Sequence, residues 1–333
     1  MSAANPRPIR ADRIRQFLRR IALVLALAGS GGVFAEPVFD VAFDASASML
    51  TAQERAEVTR HVQAAGRRWC RALAVTTSPT IEMVVSVADI PTANGASAST
   101  AYIGTIGGRD TYEQGVAHEL RTGEDPNGTD PDANITFGLA YLRNELWFDP
   151  DPEARTAPVP ADRTDAMSTV LHELGHILAY NGWADLVTGE PTQSYWSVWD
   201  SWIVPGSAPV FGGTAAMDAW FGTPPALTIG NINHWGNASG RAIDRPLARC
   251  APALDAWQWN APVPQRCDAP ASADPPARDD RAPAGASLLD QLMNGVVFYR
   301  GRRYDISALD IGVAIDVGLM NDGIFVGGFD PPQ

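Results

Sequence analysis

The pentapeptide His172-Glu173-Leu174-Gly175-His176 constrains this chain more than any other feature. An α-helix turns once in ~3.6 residues, so side chains four apart share a face. Two imidazoles at that spacing can grip one zinc ion, and the glutamate beside the first can reach a water at that ion. The chain has only 5 histidines in 333 residues, which makes a chance match rare. The other His-Glu pair, His118-Glu119, continues Leu-Arg-Thr and is not a second copy.

The flanks predict a helix over about 165–180. Met167, Val170, Leu171, Leu174, Ile177 and Leu178 recur as one apolar stripe. Thr164 or Asp165 can cap its start, and Asn181-Gly182 suits a stop. Steps of ~100° per residue place His172 and His176 nearly opposite the centre of the stripe. A structural core histidine belongs on the apolar face instead, and two merely solvated histidines would leave Glu173 between them unexplained. The pattern therefore predicts a zinc site with Glu173 as a catalytic base.

Residues 1–35 have the layout of a secretory leader. Six arginines precede the apolar run 21–28, and Val33-Phe34-Ala35 offers the small residues a signal peptidase needs. The run falls short of the ~20 residues of a membrane span, so export to the outside or the periplasm is expected, without stable membrane insertion. The whole chain carries −13. Residues 1–35 hold six of its 25 basic and one of its 38 acidic residues, so the remainder carries −18. That balance disfavours nucleic acid and anionic membrane surfaces as partners. Every basic residue is arginine, which reads as genome composition rather than chemistry. Cys250 and Cys267 flank a Pro-rich segment and form the expected disulfide of an exported protein, leaving Cys70 over.

Thr51-Ala-Gln-Glu54 reads as a capping box, followed by the stripe Val58, Val62, Ala65, Trp69 and Leu73. Residues 81–87, 101–106 and 134–139 read as strands. The order of elements implies an α+β fold with a mixed, twisted sheet backed by helices. Residues 36–182 are expected to form a catalytic subdomain and 183–333 a helical or irregular one. The second part holds eight of the ten tryptophans, which suit packing or, less simply, a cleft for aromatic or sugar contacts. Residues 261–286 read as a surface loop, and Ser307–Asp310 as the capping box of a last helix ending at Gly318. The acidic run 124–134 has oxygen donors suited to calcium but lacks EF-hand spacing. A solvated loop is the simpler reading.

A catalytic zinc needs a third protein ligand. In metzincins a glycine ends the zinc helix and a third histidine follows within a few residues; here Ala179 and Gly182 stand at those places. His234, in Ile232-Asn233-His234-Trp235-Gly236, is the leading candidate, with Asp185, Glu190 and Asp200 as carboxylate rivals. Leu292-Met293-Asn294-Gly295 follows, and then Ser307–Gly318. Together these segments resemble the leishmanolysin branch of the metzincins over roughly 165–320. The resemblance implies a metzincin-like fold, zinc on His172, His176 and His234, and Met293 as the apolar floor beneath the metal. Ala179, Asn233 and Gly236 depart from the pattern of that branch.

The resulting expectation is a secreted zinc endopeptidase acting on protein or peptide substrates. The alternatives are a non-catalytic surface or binding protein on the same scaffold, and a non-proteolytic zinc amidase.

Overall fold

The computed structural model describes residues 36–236, 287–295 and 298–320, all in one compact unit. The leader-like residues, the Cys250–Cys267 pairing, the 261–286 loop, Trp257 and Trp259 lie outside the described residues.

The chain is α+β, with several small mixed sheets. Strand β1 (Val38–Phe43) leads through a short 3-10 turn into helix α1 (Ala52–Ala72). The capping box is present: Glu54 N–H donates to Thr51 Oγ1 at 3.2 Å, and Thr51 N–H to the Glu54 carboxylate at 2.7 Å. These bonds satisfy amides that the first turn would otherwise leave unpaired. Val58, Val62, Ala65 and Trp69 are buried as the stripe requires.

Strands β2 (Thr80–Ala88), β3 (Ala93–Ser97), β4 (Thr100–Ile106), β5 (Arg109–Gln114) and β6 (Ala133–Gly138) follow, with helix α2 (Gly115–Thr122) between the last two. The main sheet has the order β1-β2-β6-β3. Its first three strands run parallel, and β3 joins antiparallel to β6 with Gly95 opposite Ile135. β3 is thus an edge strand. β4 and β5 form a hairpin through Gly107-Gly108, whose positive φ values of 57° and 78° fit a tight hairpin turn. Short strand β9 (Tyr195–Ser197) pairs with β5.

Helix α3 (Leu139–Asn144) and the two-residue pair β7 (Leu146–Trp147) and β8 (Thr164–Asp165) bring the chain to helix α4 (Ala166–Leu178). Asp165 is its N-cap, accepting from Ser168 N–H at 3.1 Å. Every α4 residue except His176 is buried. The expected apolar face and histidine face are therefore both enclosed, the first against α1 and the second beneath the segments described below. Trp69 Nε1–H donates to the Leu171 carbonyl at 2.9 Å, joining α1 to α4. The helix ends earlier than the Asn181-Gly182 stop implies. Ala179 leaves helical geometry at φ −144°, and the amides of Ala179 and Tyr180 both turn back to the Gly175 carbonyl.

The second part is irregular rather than helical among the described residues. It contains the ribbons β10 (Ile203–Val204) with β11 (Val210–Phe211) and β12 (Leu227–Thr228) with β13 (Asn231–Trp235), and helices α5 (Thr214–Ala219) and α6 (Ala308–Asp316). Two of its tryptophans are core residues: Trp199 and Trp235 are fully buried and pack against Tyr180, with Trp199 stacked on Phe211. Large rings supply the apolar area that short helices cannot. No helix among the described residues is long and apolar enough to cross a membrane.

Candidate metal centre

Helix α4 presents His172 and His176 to one point, and β13 brings His234 to the same point. The three Nε2 atoms form a near-equilateral triangle: 3.1 Å between His172 and His234, 3.1 Å between His172 and His176, and 3.0 Å between His176 and His234. Two of the rings have defined tautomers. His172 Nδ1–H donates to the Leu292 carbonyl at 2.8 Å, and His176 Nδ1–H to the Tyr180 carbonyl at 2.7 Å. A carbonyl oxygen can only accept, so in both rings Nε2 carries a bare lone pair.

Lone pairs that face each other at 3.1 Å repel unless a cation lies among them. A proton is disfavoured there. Burial, then the charge of His176, pushes His172 down to about 3; burial pushes His176 down to about 4 and His234 well below its ordinary value. Three neutral imidazoles that converge, two of them with the outer nitrogen tied to a carbonyl, are a donor set for a transition-metal ion. The group could hold a metal.

Local packing explains why the convergence is possible. A Cβ on Gly175 would lie 2.4 Å from Met293 Sδ, so the thioether fills the space between the two histidine turns of the helix. Met293 is fully buried. The 292–295 turn is bound to the strand of His234, with Trp235 N–H donating to the Met293 carbonyl at 2.8 Å and Gly295 N–H to the Trp235 carbonyl at 3.0 Å. A Cβ on Gly295 would stand 2.7 Å from that of His234. Tyr180, whose carbonyl supports His176, is held by its hydroxyl, which donates to Asp310 Oδ1 at 2.8 Å. Asp310 also caps α6 through Ser307. Asp316 accepts the amides of Ala215 and Ala216 at the start of α5.

Glu173 is buried, and burial pushes its carboxyl up to about 8 against the opposing effect of the Gly95 amide, which donates to it. Gly95 allows this approach, since a Cβ there would fall 2.5 Å from the Glu173 carbonyl oxygen. Sequence reasoning passed over Gly95, Tyr180 and the carbonyl of Leu292. A backbone group leaves no trace in residue type, and only the small size of Gly95 hinted at a close approach.

The remaining candidates stand elsewhere. Asp185 accepts the amides of Val187 and Thr188 in its own turn. Asp200 takes those of Trp183, Ala184 and Ser197. Among the described residues neither these nor Glu190 groups with the histidines. Gly182 is required by Asp200, whose Oδ1 lies 2.0 Å from where a Cβ would be. His61 is a satisfied core histidine, between the Glu57 carbonyl at 2.8 Å and the Asp149 amide at 3.0 Å. His118 pairs with Glu113. Cys70 is free and buried, and burial pushes its thiol up to about 12, which makes it inert.

A second group of potential ligands consists of Glu119, Asp125 and Asp132. Burial, then the charges of Asp132 and Asp125, pushes Glu119 up to about 8. No family model, curated protein or solved structure matches the chain.

Proposed function

We propose that the chain is an exported zinc-dependent endopeptidase of metzincin type, in the leishmanolysin branch. The observation that carries the reading is the convergence of three Nε2 atoms within 3.1 Å of one another, two of them from the helix that also carries Glu173. Three nitrogen donors with no fourth protein ligand among the described residues suit a catalytic zinc rather than a structural one, which takes four. His172, His176 and His234 would hold the ion. Zinc bound there supplies Lewis-acid chemistry, lowering the pKa of a water to ~7 and polarising a carbonyl.

The chain's own groups do the rest. The Glu173 carboxylate takes a proton from the attacking water and hands it to the leaving amine. The Gly95 amide orients that carboxylate. Leu292 and Tyr180 carbonyls hold the imidazoles in the tautomer that presents Nε2. Met293 supports the helix turn from below. β3 lies beside Glu173 with its outer edge unpaired among the described strands, and an extended peptide can add to such an edge through main-chain hydrogen bonds. This edge favours a peptide over a small amide as substrate. The leader-like residues 1–35 support export.

The test is zinc content and casein cleavage in wild type and Glu173→Gln. The variant keeps the shape and removes the base, so zinc stays at one per chain while cleavage falls by at least ~100-fold. Loss of zinc together with activity would make Glu173 a ligand and overturn the mechanism.

A further inference from the structure

The 119–134 region brings carboxylates together without a counter-charge. Glu119 lies in α2, Asp132 immediately precedes β6, and Asp125 sits on the loop between them. One oxygen from each lies within 4.8 Å of one from each of the others. Calcium binds oxygens at 2.3–2.6 Å, so oxygens on opposite sides of one ion stand roughly 4.6–5.2 Å apart. Their spacing is of the size that one calcium ion spans. Glu119 and Asp132 are only 4% and 1% exposed, yet Glu119 Oε2 and Asp132 Oδ1 are buried with no N–H or hydroxyl donor, and the side chains that face the Asp132 carboxyl are the carboxyls of Glu82 and Glu119. A buried, unpartnered carboxylate oxygen is costly, and two in one cluster repel as well.

No arginine relieves them. Arg121, the nearest in sequence, pairs with Glu113. Among the described residues no ion pair includes Glu119, Asp125 or Asp132. The frame around them is fixed. Asp132 Oδ2 accepts the Glu82 amide at 2.7 Å, the Asp132 amide donates to the Glu82 carbonyl at 2.9 Å, and its carbonyl accepts the Ala98 amide at 2.7 Å. Asp125 Oδ1 accepts the amides of Asn127 and Gly128, both at 2.8 Å. Asn127 Nδ2 in turn binds the carbonyls of Asp130 and Pro131.

We propose that Glu119, Asp125 and Asp132 form a calcium site that ties α2 and the 124–132 loop to the main sheet. The donors are all hard oxygens, which excludes the ions that favour nitrogen or sulfur. Magnesium keeps most of its water and usually takes one or two carboxylates, whereas three protein carboxylates suit the larger, more tolerant calcium ion. Its effect is structural. The Asp132 carbonyl leads directly to β3 through Ala98, and β3 carries the Gly95 that touches Glu173.

The test uses the full chain, dialysed into buffer freed of divalent ions by chelating resin and titrated calorimetrically with CaCl2 and, separately, MgCl2. One calcium per chain is expected, with a rise in Tm of about 5 °C near saturation. Asp125→Asn, at an exposed position that leaves the core intact, weakens binding by at least ~10-fold. Glu119→Gln with Asp132→Asn abolishes it, with circular dichroism verifying the fold. His234→Ala binds calcium like wild type, which separates this site from the histidine centre. No heat and no Tm shift up to about 10 mM calcium, beyond the weakest extracellular sites, would overturn the proposal. So would unchanged affinity in Asp125→Asn, or equal affinity for magnesium.

Discussion

The histidine centre gathers nitrogen donors from two elements 58 residues apart, with His172 buried and His176 partly so, whereas the carboxylate group gathers oxygen donors from one stretch of chain and leaves Asp125 at the surface. Neutral rings lose little when enclosed, so the histidine site can be built deep, with its shape set by carbonyls and Met293. Carboxylates cannot be enclosed in that way. Without a cation they must share protons or repel. The first cluster therefore has its outer nitrogens on His172 and His176 satisfied by carbonyls, and the second keeps carboxylate oxygens that only a proton or a cation can satisfy.

The largest expected effect separates the two. His234→Ala removes one of three nitrogen donors, and zinc affinity falls by at least ~100-fold, to be measured by competition with a chromogenic chelator. Calcium binding stays. A His234→Ala protein that retained full zinc and full cleavage would end the three-histidine assignment.

Gly95→Ala asks how much the histidine side depends on the sheet edge. Its Cβ would meet the backbone of Glu173 at 2.5 Å, which a helix held between β3 and α1 cannot relieve by moving. A stability loss of ~1–3 kcal/mol by urea denaturation is expected, together with lower cleavage and unchanged zinc stoichiometry. A neutral result would mean that β3 and α4 are not in contact in solution.

Met293→Leu gives a smaller change of under ~1.5 kcal/mol, since it conserves volume. Cleavage is retained within about tenfold, because methionine packs there and does not react. Abolished cleavage with zinc still bound would give Met293 a direct part in the chemistry.

The smallest effect sharpens the carboxylate side. A side-chain hydrogen bond with Asp132 pushes Glu82 up to about 7, and burial pushes Glu119 up to about 8, both from 4.5. The folded state then holds protons that the unfolded chain releases. This contribution to stability is present near pH 5 and is lost as pH rises through 8. In calcium-free buffer Tm should fall over that interval more steeply for wild type than for Glu119→Gln, and calcium should flatten the curve. Equal slopes would remove Glu119 from the cluster.

Local pattern carried the sequence reading well wherever a few neighbouring residues decide the outcome. The capping boxes at Thr51 and Ser307, the helix around Glu173 and the strands near 81–87, 101–106 and 134–139 all depend on contacts within one element, and each is present. The early exit of α4 at Ala179 was not readable, because the Gly175 carbonyl accepts two amides there and the carbonyl of Tyr180 is occupied by a ring nitrogen. Strands β1, β3 and β5 were missed as well. β3 is an edge strand containing Gly95, and its sequence Ala-Asn-Gly-Ala-Ser lacks the β-branched residues that mark a strand.

By itself, the sequence determined the chemistry on offer. Residue type and a four-residue spacing put two imidazoles and a carboxylate on one helix, and the acidic run supplied oxygen donors. Only the tertiary structure decided which of those groups meet. His234 reaches the helix because β13 bonds to the turn of Met293, Gly95 touches Glu173 because β3 closes the sheet edge, and Glu119 faces Asp132 because the loop after α2 returns the chain beside it. Such meetings depend on hydrogen bonds and close packing between segments distant in sequence. No local pattern encodes them.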